Sequence, residues 1–244
     1  HETSLAIPIP DGETLLSVSF KHLGETFRDI RQYKVFLRYM VAFLIYNDGI
    51  MMLMDFAAII GATLFGLGQV QLIIFVIIIH ITGALGALAF GRLSDEKSSK
   101  RAILISLIIL IASVITLFFV KSTLGFFIVG AFAGFSLSGA QAVSRTMVSQ
   151  LAPAGKTTEF YGFLSVAGRT STFIGPLVFG TLSYRMYLYY LNQGLAELAA
   201  EKAGQYWGIG SIIAFLLIGF VILLSVREVT ASKPMTYPKE HELN

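Results

Sequence analysis

Six charge-poor stretches take up most of this chain: 36–62, 69–91, 102–120, 123–148, 159–182 and 207–226. A helix needs about twenty apolar residues to cross the hydrocarbon core of a bilayer. Each stretch is long enough, and none alternates in the manner of a barrel strand. Three of them carry an ionisable group near the middle: Asp48, His80 and Arg169. A charge at that depth costs at least ~2.5–3.5 kcal/mol on insertion scales, so it belongs against a cavity or a partner. The pattern predicts an all-α membrane protein of six transmembrane helices that handles a polar solute at mid-bilayer.

Composition agrees. Only 14% of residues are charged, against roughly 25% in an ordinary globular domain, so lipid is the expected solvent. With no cysteine in the chain, a disulfide framework and a thiolate metal site are both excluded. The full Gly-x-x-x-x-Gly-Lys-Ser/Thr phosphate loop does not occur, because Gly155-Lys156-Thr157 has Gln150 where the first Gly would stand, and there is no His-Glu-x-x-His motif. Neither ATP drive within the chain, a zinc centre nor any other cofactor is expected, and no nucleic-acid partner. The first residue is His1, and no secretory pattern follows it. The expectation is the back part of a longer protein.

Lys and Arg set the orientation. With the amino end in the cytoplasm, fourteen of the eighteen basic residues fall on the inner side. Lys121, Arg185 and Lys202 fall outside, and Arg169 lies within the membrane. An even number of spans returns the carboxyl end to the cytoplasm. Residues 1–35 read as a cytoplasmic linker, and 227–244 as a cytoplasmic tail. Within the linker, Leu16, Phe20, Leu23, Phe27 and Ile30 form an apolar stripe suited either to the membrane surface or to the bundle's loops. Segment 183–206 reads as a long outer loop rich in tyrosine, an interfacial aromatic belt.

The spans differ in kind. The third and sixth hold no ionisable residue, whereas the other four hold Asn47, Asp48, Asp55, His80, Gln141, Ser144 and Arg169. That sorting suggests four inner and two outer helices in a three-plus-three repeat, as in one half of a major facilitator bundle. Gly83, Gly86, Gly130 and Gly134 suit close helix approach. Gly175-Pro176 predicts a kink in the fifth span.

The candidate substrate- and ion-binding residues are Asn47, Asp48, Asp55, His80, Gln141 and Arg169. Asp48 can bind a proton, a cation or a substrate amine, or it can lock two helices together. Asp55 lies seven residues on and about 20° round the same face, as a second step on a cation path or a vestibule residue. Arg169 can clamp a carboxylate with two hydrogen bonds or serve as a structural salt bridge. His80 can serve as a proton-sensitive gate on transport, or sits neutral between helices. Gln141 adds a hydrogen bond to a ligand or to a neighbouring helix.

Four stretches carry a family likeness. Gly91-Arg92-Leu93-Ser94-Asp95, with Lys97, Lys100 and Arg101 after it, resembles the major facilitator loop motif. Glu96 and Ser98 depart from it. Tyr46-Asn47-Asp48-Gly49, Gly139-Ala140-Gln141-Ala142-Val143-Ser144-Arg145 and Glu159-Phe160-Tyr161-Gly162 narrow the match. Gly168-Arg169 and Gly175-Pro176 follow in the fifth span. Together these resemble the carboxyl-terminal half of the autophagy-related vacuolar amino-acid effluxer family. Met52 stands where that family often has Thr, and Asp55 is outside its pattern.

The resemblance implies a twelve-helix protein of which these would be the seventh to twelfth. It implies alternating-access secondary transport of a small solute, amino-acid efflux and proton coupling being one form. It also implies a charged latch involving Gly91, Asp95 and Arg145. Partners would then be the bilayer, a small-molecule substrate, and an absent amino-terminal six-helix half or a second copy. The location would be the cell membrane in a prokaryote, or a vacuolar or lysosomal membrane in a eukaryote. A channel or a non-transporting scaffold is the main alternative. An intramembrane aspartyl enzyme is a weaker one, because Asp48 and Asp55 share one span.

Overall fold

The computed structural model describes residues 33–153, 156–171 and 173–227. The amphipathic stripe of the linker and most of the carboxyl-terminal tail lie outside the described residues. Seven helices follow one another among the described residues: α1 Lys34–Phe65, α2 Gln69–Glu96, α3 Ser99–Thr116, α4 Thr123–Leu151, α5 Thr157–Ser171, α6 Ile174–Asn192 and α7 Glu197–Leu224. Five of them, α1 to α4 and α7, are long and apolar enough to cross a membrane.

The fifth expected span is where the count changes. It is two helices, with α5 ending at Ser171 and α6 starting at Ile174. Pro176 has no amide hydrogen, and its ring excludes the carbonyl four residues earlier. It is tolerated in the first turn of α6 but not as a continuation of α5. The expected kink is therefore a break, placed just upstream of the proline. The outer loop is also shorter than expected. Helix α6 runs to Asn192 and α7 begins at Glu197, so only 193–196 connect them. The tyrosines of this segment sit on helical ends, where Trp207 Nε1 donates to the Tyr190 hydroxyl at 3.4 Å.

Local chemistry sets the other boundaries. Gly66, at φ 65°, takes the left-handed conformation that closes α1, and the Leu67 amide reaches back to the Gly61 carbonyl at 3.2 Å. Ser98 and Ser122 cap α3 and α4, accepting from the amides of Arg101 and Gly125. Lys100 donates to the carbonyls of Leu224 (2.8 Å) and Val226 (2.6 Å), tying the start of α3 to the end of α7. That places a cation where the helix dipole favours one.

The packing follows an exchange. Helix α1 packs against α7, α6 and α5, while α4 packs against α2 and α3. The first helix of each triplet thus sits with the second and third members of the other, as an internal three-plus-three repeat requires. Contacts of α3 with α7 and of α1 with α4 join the two groups. Glycines set the distance between α2 and α4. A Cβ on Gly86 would fall on the Phe135 carbonyl, and one on Gly134 would lie 2.8 Å from the Ile79 carbonyl oxygen. Gly219 of α7 similarly lies against the backbone of Tyr46 in α1.

The expected division into inner and outer helices is only partly visible in the burial. Half of the most apolar window of α3 is buried, against 17% for α2. Helix α3 is wedged between α4 and α7 and also touches α2, whereas α2 leans mainly on α4. The open side of α2 carries Val70, Ile73, Ile77, Ile81, Leu85 and Leu88.

Candidate functional site

A cavity of about 670 Å³ opens between α1, α4 and α5, within the ~300–1,000 Å³ range of small-molecule sites. Helix α1 contributes Phe43, Asn47 and Met51 at steps of four, one face of a helix. Gln141 and Arg145 of α4 share the same spacing. Helix α5 contributes Tyr161, Leu164, Ser165, Gly168 and Arg169. Asn47, Gln141 and Arg169, three of the residues selected from sequence, therefore meet in one place. Arg145, selected for the latch, joins them.

Asp48 faces elsewhere. It is 3% exposed, and the position of a Cβ on Gly175 would lie 3.3 Å from its own Cβ. The carboxylate-bearing residue is thus packed against the first turn of α6, beside the break in the fifth span. Asp55 is exposed and does not line the cavity. The two aspartates share a helix face by angle, yet α6 covers one and leaves the other open.

His80 is separate again. It stands at a smaller apolar cavity of about 180 Å³ enclosed by α1, α2, α3 and α4, lined among others by Met54, Phe75, Val129 and Ala133. Its Nδ1 donates to the Val76 carbonyl at 2.8 Å, which assigns the ring proton to that nitrogen. The two cavities adjoin at Met54, whose sulfur lies 3.9 Å from Gln141 Nε2.

The loop-motif residues lie away from both cavities. Asp95 is exposed near the end of α2, and Gly91 has open space where a side chain would go. Among the described residues, no ion pair links Asp95 to Arg145. Ser94 and Ser99 instead bond across the α2–α3 junction at 2.7 Å, and the Ser99 hydroxyl donates to Gln150 at 2.8 Å.

One cluster escaped the sequence reading. The Tyr39 hydroxyl donates to the Ser144 carbonyl (2.8 Å), and the Tyr46 hydroxyl bonds the Ser144 hydroxyl (2.7 Å). The Ser144 hydroxyl in turn donates to the Ala140 carbonyl (2.5 Å). All three residues are fully buried. Tyr46 and Ser144 each immediately precede a cavity residue, Asn47 and Arg145. The cluster fixes α1 to α4 at the level of the cavity. On α5, the Tyr161 hydroxyl donates to the Arg145 carbonyl at 2.8 Å. The signal in sequence was a seven-residue spacing of Tyr39 and Tyr46, which places both on one helix face.

Comparison with known proteins fits this geometry. An uncharacterized MFS-type transporter, YxiO of Bacillus subtilis, is 27% identical over 214 residues, covering 88% of this chain and 46% of the relative. Autophagy-related protein 22 of Kluyveromyces lactis is 28% identical over 194 residues, covering 72% of the chain and 39% of that protein. The chain thus spans less than half the length of these relatives. In fold, it is similar to the inward-open xylose transporter XylE from E. coli, with a TM-score of 0.62 over 81% of this chain and 48% of that one, at 14% identity. The architecture is that of a major facilitator bundle in a multi-pass membrane protein. Residues 3–186 match the family model described as vacuole effluxer Atg22 like, and the chain belongs to that family.

Proposed function

We propose that this bundle forms one wall of a secondary transporter's solute path and works by alternating access. The observation that carries the reading is the cavity between α1, α4 and α5, where Asn47, Gln141, Arg145 and Arg169 converge. In a major facilitator the solute site lies between two bundles near the membrane midplane. A second six-helix bundle would close the open side of this one, whether an amino-terminal half of the same protein or a second copy. Both termini of the described bundle would face the cytoplasm, an orientation that the distribution of Lys and Arg favours.

Within that scheme, Asn47, Gln141 and Arg169 contact a small solute; efflux is the form that the family description suggests, with an amino acid as the proposed cargo. Asp48, packed at the α5–α6 break, is the candidate for proton or cation coupling, with His80 and Asp55 as further stations. Gly91, Asp95 and Arg145 serve the cytoplasmic latch, which biases the equilibrium between states by forming in one of them. The test is counterflow in proteoliposomes containing the whole protein, with a panel of labelled amino acids, organic acids and sugars. Saturable exchange that is lost in Arg169→Gln supports the reading. Flux that rises linearly with solute concentration for every permeant solute indicates a channel and refutes it.

A further inference from the structure

A third cavity, of about 370 Å³, lies between α6 and α7 and is lined by Tyr184, Tyr187, Glu197, Glu201 and Gln205. It shares no residue with the two cavities described above, and its size suits a small molecule. Glu197, Glu201 and Gln205 follow one another at steps of four along α7. A hydrogen-bond acceptor therefore recurs about every 6 Å along one stripe. Tyr184 and Tyr187 stand on α6 with ring centroids 6.3 Å apart. Gly204 brings the two helices together, since a Cβ there would lie 2.5 Å from the Ser183 carbonyl oxygen and 3.2 Å from the Tyr187 Cβ. The tyrosines of α6 are thereby held beside the acceptor stripe of α7. From α1, the Thr63 hydroxyl donates to the Glu201 carboxylate at 3.5 Å, which has further acceptor sites to offer.

The Gln205 side chain gives the second sign of a ligand. Its carboxamide oxygen is buried and accepts no hydrogen bond among the described residues. A buried acceptor left in that state costs about 1–3 kcal/mol, and a donor brought by a ligand removes the cost. We propose that this cavity binds a linear aliphatic diamine or polyamine. Each ammonium carries several N–H donors, and its charge suits the carboxylates of Glu197 and Glu201. The methylenes between the ammonium groups lie along the tyrosine rings, whose faces also attract a cation. The innermost ammonium supplies the donor that Gln205 lacks. A compact divalent cation fits less well, because it draws its oxygens in to 2.0–2.6 Å whereas these are spread along two turns of helix. Lys202 and Arg185 follow directly on Glu201 and Tyr184 and define the opposing reading, in which the glutamates only balance those charges. The site stands on α6 and α7 and does not depend on the transport cycle proposed for the larger cavity.

The experiment uses the whole protein in nanodiscs of phosphatidylcholine, a lipid without net charge to compete for cations. Calorimetric titration and ligand-induced thermal stabilisation are both read. The probes are putrescine and spermidine, with propylamine as the single-ammonium control and Mg²⁺ as the control for charge alone. Putrescine and spermidine are expected to bind saturably and to stabilise the protein, while propylamine and Mg²⁺ do so at least tenfold more weakly. Glu201→Gln is expected to weaken spermidine about tenfold, the size of one lost charge-assisted contact, and Glu197→Gln with Glu201→Gln to weaken it further. Gln205→Leu is expected to weaken spermidine while leaving the unliganded protein at least as stable as the parent, because it removes the unpaired oxygen. Tyr187→Leu is a second test that changes no charge, and weaker spermidine binding is expected there too. Equal binding of Mg²⁺ and spermidine would overturn the proposal, since a plain acidic surface gives that result. So would full spermidine affinity in the double glutamate variant or in Gln205→Leu. Absence of any diamine or polyamine binding, with Glu201→Gln and Lys202→Gln each destabilising the unliganded protein, would assign the glutamates to counter-charge alone.

Discussion

The seam between α2 and α4 allows a sharp test of the packing. In Gly86→Ala the new Cβ would fall on the Phe135 carbonyl oxygen, with the carbonyl carbon at 2.6 Å and Cα at 2.9 Å. Carbon atoms rest comfortably at about 3.5–4.0 Å, and the obstacle is backbone that cannot rotate aside. The two helices must part by roughly 1 Å along a seam that Gly130, Gly134 and Gly139 share. Overpacking of this kind costs ~1–3 kcal/mol, and the backbone clash puts the cost at the upper end. Replacing helical glycine with alanine returns about 1 kcal/mol through propensity. The net expectation is a loss of ~2 kcal/mol. Gly180→Ala is the control, because nothing lies within 4 Å of its added Cβ, so propensity alone acts and stability rises by up to ~1 kcal/mol. The two variants should therefore differ by ~3 kcal/mol in equilibrium unfolding of the whole protein in mixed micelles. If Gly86→Ala unfolds at the same point as Gly180→Ala, the helices are not in backbone contact and the fold described for this seam is incorrect.

Three further outcomes are expected. Tyr46→Phe removes the buried bond to Ser144 and should lower stability by ~0.5–1.5 kcal/mol, with Tyr39→Phe and Tyr46→Phe together costing measurably more than either alone; an unchanged unfolding midpoint in the double variant would count against the cluster. Lys100→Met leaves the Leu224 and Val226 carbonyls without their cation and should cost about 1 kcal/mol, readable as faster hydrogen exchange confined to the last turn of α7. Asp95→Asn should insert and fold normally yet exchange solute more slowly than the parent; identical exchange rates would remove Asp95 from the transport cycle.

The long helices were legible in the sequence because bilayer thickness fixes their length and hydrophobicity marks them. The reciprocal glycines were legible too: Gly83, Gly86, Gly130 and Gly134 sit at spacings that a helix brings to one side. The break before Pro176 was read as a kink, since sequence gives the missing amide but not whether tertiary contacts restore the turn around it. The outer loop was misjudged because Tyr184 to Tyr190 are neither apolar enough for a span nor disruptive enough for a loop. For the cavity, residue type and depth identified Asn47, Gln141 and Arg169. They did not separate Asp48 from Asp55, because angular position on α1 says nothing about which neighbour covers each carboxylate. Nor did they reveal that Arg145 belongs to the wall, which depends on how far α4 is rotated against α1.

Where main chain abuts main chain, as along Gly86 and Gly134, there is no rotor to yield, and the paired helices can shift only together. Helices α1 and α2, in contrast, meet over few residues, and the fifth crossing is two helices rather than one. The stiff spar formed by α2 and α4 thus carries Gln141 and Arg145, while Arg169 stands near the end of the separate short helix α5. The two arginines of the cavity wall are therefore set on different rigid pieces, not on one continuous rod.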